Sequence, residues 1–255
     1  MGQNFLVDAS VLNKIIQAAE LQPEDIVLEI GPGIGTLTQE LAKKTKKVIA
    51  IEKDRVMVEI LKETLKDYKN VEIIQGNILT ADYKLPAHYK LVANLPYYIT
   101  SPIIRMFLEA KNPPEHMVLM VQKEVGQRIC AKPPNMSILS VSVQIYALPN
   151  IISTVSKGSF WPSPKVDSAI IKIQPQNTIA KNIDTDIFFK IVKAGFLHPR
   201  KQLANNLSVG LKKTKEQINP WLLKNNINPL QRAETLSIQD WITLTQSYSH
   251  LKPNA

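Results

Sequence analysis

Residues 26–36 read I-V-L-E-I-G-P-G-I-G-T, and the reading of this stretch decides the fold. Its first five residues are mostly apolar without alternation, the pattern of a strand covered on both faces. Three glycines then let the chain turn sharply, and T-L-T-Q-E-L-A-K-K (36–44) resumes at helical spacing. Working outward, V-I-A-I-E (48–52), V-E-I-I-Q (71–75), K-L-V-A (90–93) and H-M-V-L-M-V-Q (116–122) read as further strands. V-L-N-K-I-I-Q-A-A (11–19) reads as a helix, and Asp54 as the N-cap of another. Ser101-Pro102 predicts a helix over 102–111, with the serine as cap and the proline at the first helical position. Strands alternating with helices predict an α/β fold with a Rossmann-like, mostly parallel, doubly wound sheet. After residue 147, β-like stretches at 150–156 and 168–174 flank a proline-rich loop, F-W-P-S-P. Q-N-T-I-A-K-N (176–182) reads as a linker, and the residues beyond it read as short helices. The expected organisation is a larger domain over 1–178 and a small basic helical domain over 179–255.

The 255 residues carry 31 Lys+Arg against 22 Asp+Glu, a net charge of +9. From Lys181 onward there are 11 basic and 5 acidic side chains, so most of the excess lies in the last 75 residues. That distribution suits a polyanionic partner such as nucleic acid. The one cysteine, Cys130, excludes an internal disulfide and reads as a small core residue rather than a nucleophile. No apolar run approaches the ~20 residues of a membrane span. The opening M-G-Q-N-F-L-V-D lacks the basic start and apolar stretch of a signal peptide. A soluble, cytoplasmic protein with no metal site and no membrane partner is expected.

The loop E-I-G-P-G-I-G-T (29–36) brings backbone close to a ligand at a helix N-terminus. Glu52, at the end of the next strand, can accept hydrogen bonds from both hydroxyls of a ribose. Together these indicate a nucleoside-containing cofactor. The dinucleotide fingerprint G-x-G-x-x-G lacks its third glycine here, because the spacing is G-x-G-x-G. An acid followed by that spacing resembles the loop of S-adenosylmethionine-dependent methyltransferases. A dehydrogenase and a plain structural turn are the competing readings.

N-L-P-Y-Y-I-T-S-P (94–102) leaves a buried strand through a polar amide, a rigid bend and an aromatic pair. The exocyclic amino group of a base is a poor nucleophile, since its lone pair delocalises into the ring. Accepting hydrogen bonds from both amino hydrogens favours a tetrahedral nitrogen with its lone pair aimed outward. The side-chain oxygen of Asn94 and the carbonyl of Leu95 can be those acceptors, with Pro96 fixing the bend and Tyr97 stacking on the base. The competing reading is a capped turn with two core tyrosines.

Over nearly its whole length the sequence resembles the ribosomal RNA adenine N6,N6-dimethyltransferases that act on the small subunit. The matching blocks are G-Q-N-F-L-V-D (2–8), V-L-E-I-G-P-G-I-G-T-L-T, I-E-K-D, N-L-P-Y-Y-I-T-S-P-I-I, V-Q-K-E-V and the specific F-x-P-x-P-x-V-x-S pattern of 160–168. The resemblance implies S-adenosyl-L-methionine as cofactor. It places Asn4, Leu6, Gly31, Gly33, Gly35, Glu52, Asn77, Ile78 and Asn94 around that cofactor, and Asn94, Leu95, Pro96 and Tyr97 at the transfer. It sets Phe160 on the face of a flipped-out base opposite Tyr97. Two departures stand out. Gly76-Asn77 replaces the family's usual Gly-Asp, which predicts weaker cofactor binding, and the basic segment that usually precedes G-Q-N-F is missing, as in a truncated chain.

N-P-L-Q-R-A-E-T-L-S-I-Q-D-W (228–241) resembles the closing R-x-E-x-L-S block of the small-subunit enzymes, rather than the large-subunit enzymes of macrolide resistance. G-F-L-H-P-R-K-Q-L-A-N-N-L (195–207) resembles a basic helix that both groups use. Arg200, Lys201, Lys212, Lys213 and Lys215 are expected on RNA phosphates, and His198 is expected to be structural. The implied reaction is dimethylation of two adjacent adenines near the 3′ end of small-subunit RNA, within an assembling subunit, by a monomer. A large-subunit methyltransferase and a non-catalytic nucleic-acid-binding relative are the alternatives.

Overall fold

The structure, a computed structural model, describes residues 4–80, 83–176 and 182–251. In chain order the elements are β1 (Phe5–Leu6), α1 (Ala9–Ala18), β2 (Ile26–Ile30), α2 (Thr36–Ala42), β3 (Lys47–Glu52), α3 (Arg55–Thr64), β4 (Val71–Gln75) and β5 (Lys90–Asn94). Then come α4 (Thr100–Leu108), β6 (Met117–Gln122), α5 (Lys123–Ile129), α6 (Ile138–Gln144), β7 (Ala147–Val155), β8 (Phe160–Trp161) and β9 (Ser168–Pro175). The chain closes with α7 (Thr185–Gly195), α8 (Leu203–Leu211), α9 (Lys215–Lys224) and α10 (Ile238–Gln246).

The described residues form two compact units: residues up to Gln127 with Leu148–Pro175, and Arg128–Ala147 with Gln176 onward. This differs from a single boundary at 178. Residues 128–147 group with the second unit because Met136, Val141 and Ile145 are buried in the core that holds Phe188, Leu207 and Trp241. The expected linker lies largely in residues 177–181, outside the described residues.

In the first unit a seven-stranded sheet runs β4-β3-β2-β5-β6-β9-β7. The pairs of β2 with β3 and β5, of β3 with β4, and of β5 with β6 are parallel, while β9 is antiparallel to β6. The continuous apolar runs are buried as expected: Leu28, Leu91, Val118 and Ile170 are 0–1% exposed. Burying each such side chain contributes about 1.5–3 kcal/mol. The chain steps outward from β2 to β4 and then returns to β5 on the other side. A crevice therefore opens at the carboxyl ends of β2 and β5, where the strand order reverses.

Two local expectations change. Helix α4 begins at Thr100, with Ile99 rather than Ser101 at the N-cap. Ser101 and Pro102 lie inside its first turn, where a missing N–H costs nothing. Residues 160–161 are also not simply a loop: β8 pairs antiparallel with β1, matching Phe5 to Trp161 and Leu6 to Phe160. At the opposite end of the sheet, buried Lys90 is held by Asp25 at 2.6 Å and by the carbonyl of Glu20 at 2.7 Å. That network explains a strand that opens on lysine.

The second unit packs α7–α10 with α6 around Phe188, Leu207, Leu222 and Trp241. The R-x-E-x-L-S block forms the entrance to α10: Leu236 is buried, and Ser237 caps the helix in a reciprocal box with Asp240.

Candidate active site

A cavity of about 550 Å³ lies at the carboxyl ends of β2, β3, β4 and β5, within the usual size range of small-molecule sites. Each strand ends by delivering something to it. β2 runs into the loop of Gly31 and Gly33, whose φ angles of +67° and +60° are left-handed. Gly31 donates its N–H to the carbonyl of Ile51 at 2.9 Å, which ties the loop to β3. A Cβ on Gly33 would meet the Phe5 ring at 3.1 Å, so only glycine lets loop and ring share this wall. Gly35 does not line the cavity. It caps α2 at φ +89°, and its bare Cα lets Leu61 and Leu65 pack close, so its role is structural.

β3 ends in Glu52, 6% exposed, whose carboxyl accepts from the N–H of Asp54 at 2.8 Å and of Gly33 at 3.4 Å. These bonds hold the carboxylate rigidly on the cavity wall. β4 leads to Gly76, whose N–H donates to the carbonyl of Glu52 at 2.8 Å, and then to Asn77 and buried Ile78. Asn77 accepts the Leu79 N–H at 3.2 Å through its own amide oxygen, so that oxygen is already partly engaged. β5 ends in Asn94, and Leu95, Pro96 and Tyr97 follow along the same wall. Among the described residues the side-chain amide of Asn94 makes no hydrogen bond.

The remaining wall comes from the β1–β8 pair, which brings Asn4, Leu6 and buried Phe160 into the cavity. Asp8 anchors this pair twice. Its carboxylate caps α1 through the N–H of Ser10 at 2.9 Å, and accepts from the Ser159 hydroxyl at 2.9 Å. The hydroxyls of Ser10 and Ser159 pull the Asp8 pKa below the usual carboxylate value. Tyr97 is fixed by a 2.8 Å hydrogen bond between its hydroxyl and that of Ser168, the last residue of the F-x-P-x-P-x-V-x-S pattern. Ser168 reaches this edge because β9 runs antiparallel to β6 and pairs its first residue with Gln122.

Sequence reasoning thus named twelve residues of the wall; Glu29 and Tyr98, which also line it, escaped it, as did Ser168, which holds Tyr97 from outside the lining. Glu29 is the acid that opens the glycine loop. It lines the cavity at 1% exposure, and its Oε2 has no hydrogen-bond partner among the described residues. Burial pushes its pKa up to about 8, with the neighbouring Glu52 charge adding and the Thr38 hydroxyl opposing.

The Glu52 carboxylate at the end of β3 suits a cofactor that carries a ribose, as S-adenosylmethionine does. Tyr97 and Phe160 both line this cavity, which suits a planar ring.

The five basic residues belong to the second unit and fall into two groups at the ends of α8. Arg200 and Lys201 precede it, exposed, while Lys212, Lys213 and Lys215 come after it, with Lys213 half-buried. Nine helical residues separate the groups by about 13 Å, so they are two phosphate-contact candidates rather than one cluster. His198 uses its backbone carbonyl to receive Lys201 N and Asn206 Nδ2, each at 3.0 Å. Cys130 is free, and burial raises its thiol to about 11, far from a reactive thiolate. Among the described residues no group of acidic, histidine or cysteine side chains could hold a metal, and no helix is long and apolar enough to cross a membrane.

Residues 1–250 match the family model described as ribosomal RNA adenine dimethylase. The chain is 48% identical over 254 residues to ribosomal RNA small subunit methyltransferase A of Dehalococcoides mccartyi (strain CBDB1), covering 98% of this chain and 87% of that one. It is 43% identical over 261 residues to the protein of the same name from Bacillus mycoides (strain KBAB4), covering 97% and 89%. Among solved structures, a dimethyladenosine transferase from Plasmodium falciparum matches with a TM-score of 0.84 at 27% identity, covering 97% of this chain and 98% of that one. The 23S rRNA methyltransferase ErmE matches with a TM-score of 0.78 at 27% identity, covering 95% and 98%.

Proposed function

We infer the reaction of this chain from one premise: the chain belongs to the ribosomal RNA adenine dimethylase family. It is an S-adenosylmethionine-dependent methyltransferase that dimethylates N6 of adenine in small-subunit ribosomal RNA. Relatives that bear the small-subunit name are 43–48% identical over almost the whole chain, whereas the 23S enzyme is 27% identical. The single observation that carries the mechanism is the convergence of Glu52, Asn94, Tyr97 and Phe160 on one cavity.

S-adenosylmethionine supplies, when bound, a methyl group made electrophilic by its sulfonium. Glu52 holds the ribose hydroxyls, the Gly31–Gly33 backbone and Leu6 fit around the remainder, and Asn77 and Ile78 receive the adenine. Asn94 and the Leu95 carbonyl accept the two N6 hydrogens of the target base and so aim its lone pair. Pro96 fixes their direction. Tyr97, steadied by Ser168, stacks on one face of the target and Phe160 on the other, a geometry reached only by a base out of its stack. No base is needed before transfer, because the neutral amino nitrogen already carries its lone pair.

The finer reading is two rounds on each of two adjacent adenines near the 3′ end of the RNA. It also has the chain acting as a monomer on a partly assembled small subunit in the cytoplasm. The test is to incubate the protein and S-adenosylmethionine with small or large subunits lacking these methyl groups, and to analyse digested RNA by mass spectrometry. Dimethyladenosine in small-subunit RNA alone is the expected result. Product in large-subunit RNA would overturn the assignment.

A further inference from the structure

The turn Tyr97–Ile99 is a single turn of 3-10 helix, in which successive side chains point about 120° apart. Its two tyrosines therefore part company. Tyr97 turns inward to Ser168, while Tyr98 lines the same cavity yet is 77% exposed. With most of its surface open to solvent, Tyr98 is not held there by core packing. Its backbone is nonetheless stiff. Pro96 precedes it at φ −55°, the Pro96 carbonyl accepts from the N–H of Ile99 at 3.1 Å, and α4 begins at Thr100. An exposed ring on a rigid turn at a cavity mouth is a preorganised flat surface, with only two side-chain torsions to fix on contact.

We propose that Tyr98 is a stacking platform for the nucleotide adjoining the target adenine. The inference rests on the proposed reading of the site as an adenine methyltransferase centre. A base drawn into the cavity leaves its neighbour without a stacking partner, while the sugar-phosphate chain keeps that neighbour at the mouth. An aromatic face there restores the lost stacking, whatever the base, because every base has a π-face. Tyr98 accordingly acts on binding and register. It touches neither the reacting nitrogen nor the cofactor methyl. When the target is one of two adjacent adenines, the ring holds the second while the first is methylated.

The test compares Tyr98→Ala, Tyr98→Phe and Tyr98→Leu with the wild-type chain on small subunits lacking the methyl groups. It records KM for subunits, kcat, cofactor Kd by calorimetry and the melting temperature. The expected result for Tyr98→Ala is a KM raised on the order of tenfold, with kcat, cofactor Kd and melting temperature unchanged. Tyr98→Phe restores the wild-type KM and Tyr98→Leu does not. A wild-type KM in Tyr98→Ala overturns the proposal, as does Tyr98→Leu matching Tyr98→Phe, or a cofactor Kd that rises in step with KM. A wild-type chain that binds cofactor but methylates no small-subunit RNA instead overturns the reading beneath, and the inference falls with it. That failure is recognised before any variant is compared.

Discussion

Asn94 and Glu29 are both polar side chains on one cavity wall, and environment separates their roles. Asn94 is half-buried at the end of β5 with its amide free, so it can meet a substrate. Asn94→Ala is expected to lower kcat by about 10²–10³ while leaving cofactor Kd within severalfold, as loss of one aligned polar contact to a transition state does. Single-turnover methylation with a parallel cofactor titration checks this. Glu29 is buried and its pKa is raised from 4.5 to about 8. An acid whose folded pKa is raised favours the native state below its unfolded value, and that contribution fades as pH climbs towards 8. Melting temperature should thus fall between about pH 5 and 8, and Glu29→Gln should flatten the decline, matching wild type at pH 5 and exceeding it at pH 9. Asn77 gives a third case. Replacing it with aspartate supplies charge where the amide has none, and Asn77→Asp is expected to tighten cofactor binding; a titration without gain would remove that account. The motif positions were legible because their chemistry is local. Ser168 was quoted as part of a pattern, yet its bond to Tyr97 crosses 71 residues and arises only from the antiparallel placement of β9.

Among the elements, the long apolar strands were the most legible, since their burial on both faces leaves a continuous run in the sequence. The β1–β8 pair was invisible by comparison. Two residues per strand carry no periodicity, and the pairing joins segments more than 150 residues apart. It nevertheless carries Leu6 and Phe160 to the cavity, with Asp8 and Ser159 closing it. Ser159→Ala removes that closure without touching the cavity wall. The expected outcome is a loss of about 1 kcal/mol in unfolding free energy and a severalfold weaker cofactor Kd, read by denaturant melts and calorimetry. The start of α4 was misread because serine and proline fit the second and third helical positions as well as a cap and a first position, and the helix begins two residues earlier. The preceding 3-10 turn decided which residue became the cap.

At the scale of the whole molecule, charge asymmetry was legible from counting, and its consequence is a salt-dependent affinity for RNA. The double variant Arg200→Ala/Lys201→Ala is expected to weaken binding evenly across RNA sequences. It should also reduce the slope of log K against log salt by about 1–2, without altering cofactor binding. Unchanged slopes in filter-binding assays over a salt series would remove these two residues from the phosphate contacts. The domain boundary was less legible, because composition changes near residue 178 while Met136, Val141 and Ile145 pack with residues far ahead of them in sequence. The chain crosses between its two units three times, near residues 127, 147 and 175. Such threading makes the second unit unsuitable as a detachable module. A shortened protein ending near residue 178 would keep α6 but strip it of its partners, and a graft onto another enzyme would need three splice points rather than one. Recombination that exchanges whole C-terminal segments between relatives would therefore tend to break this core, and the two units are expected to be inherited together.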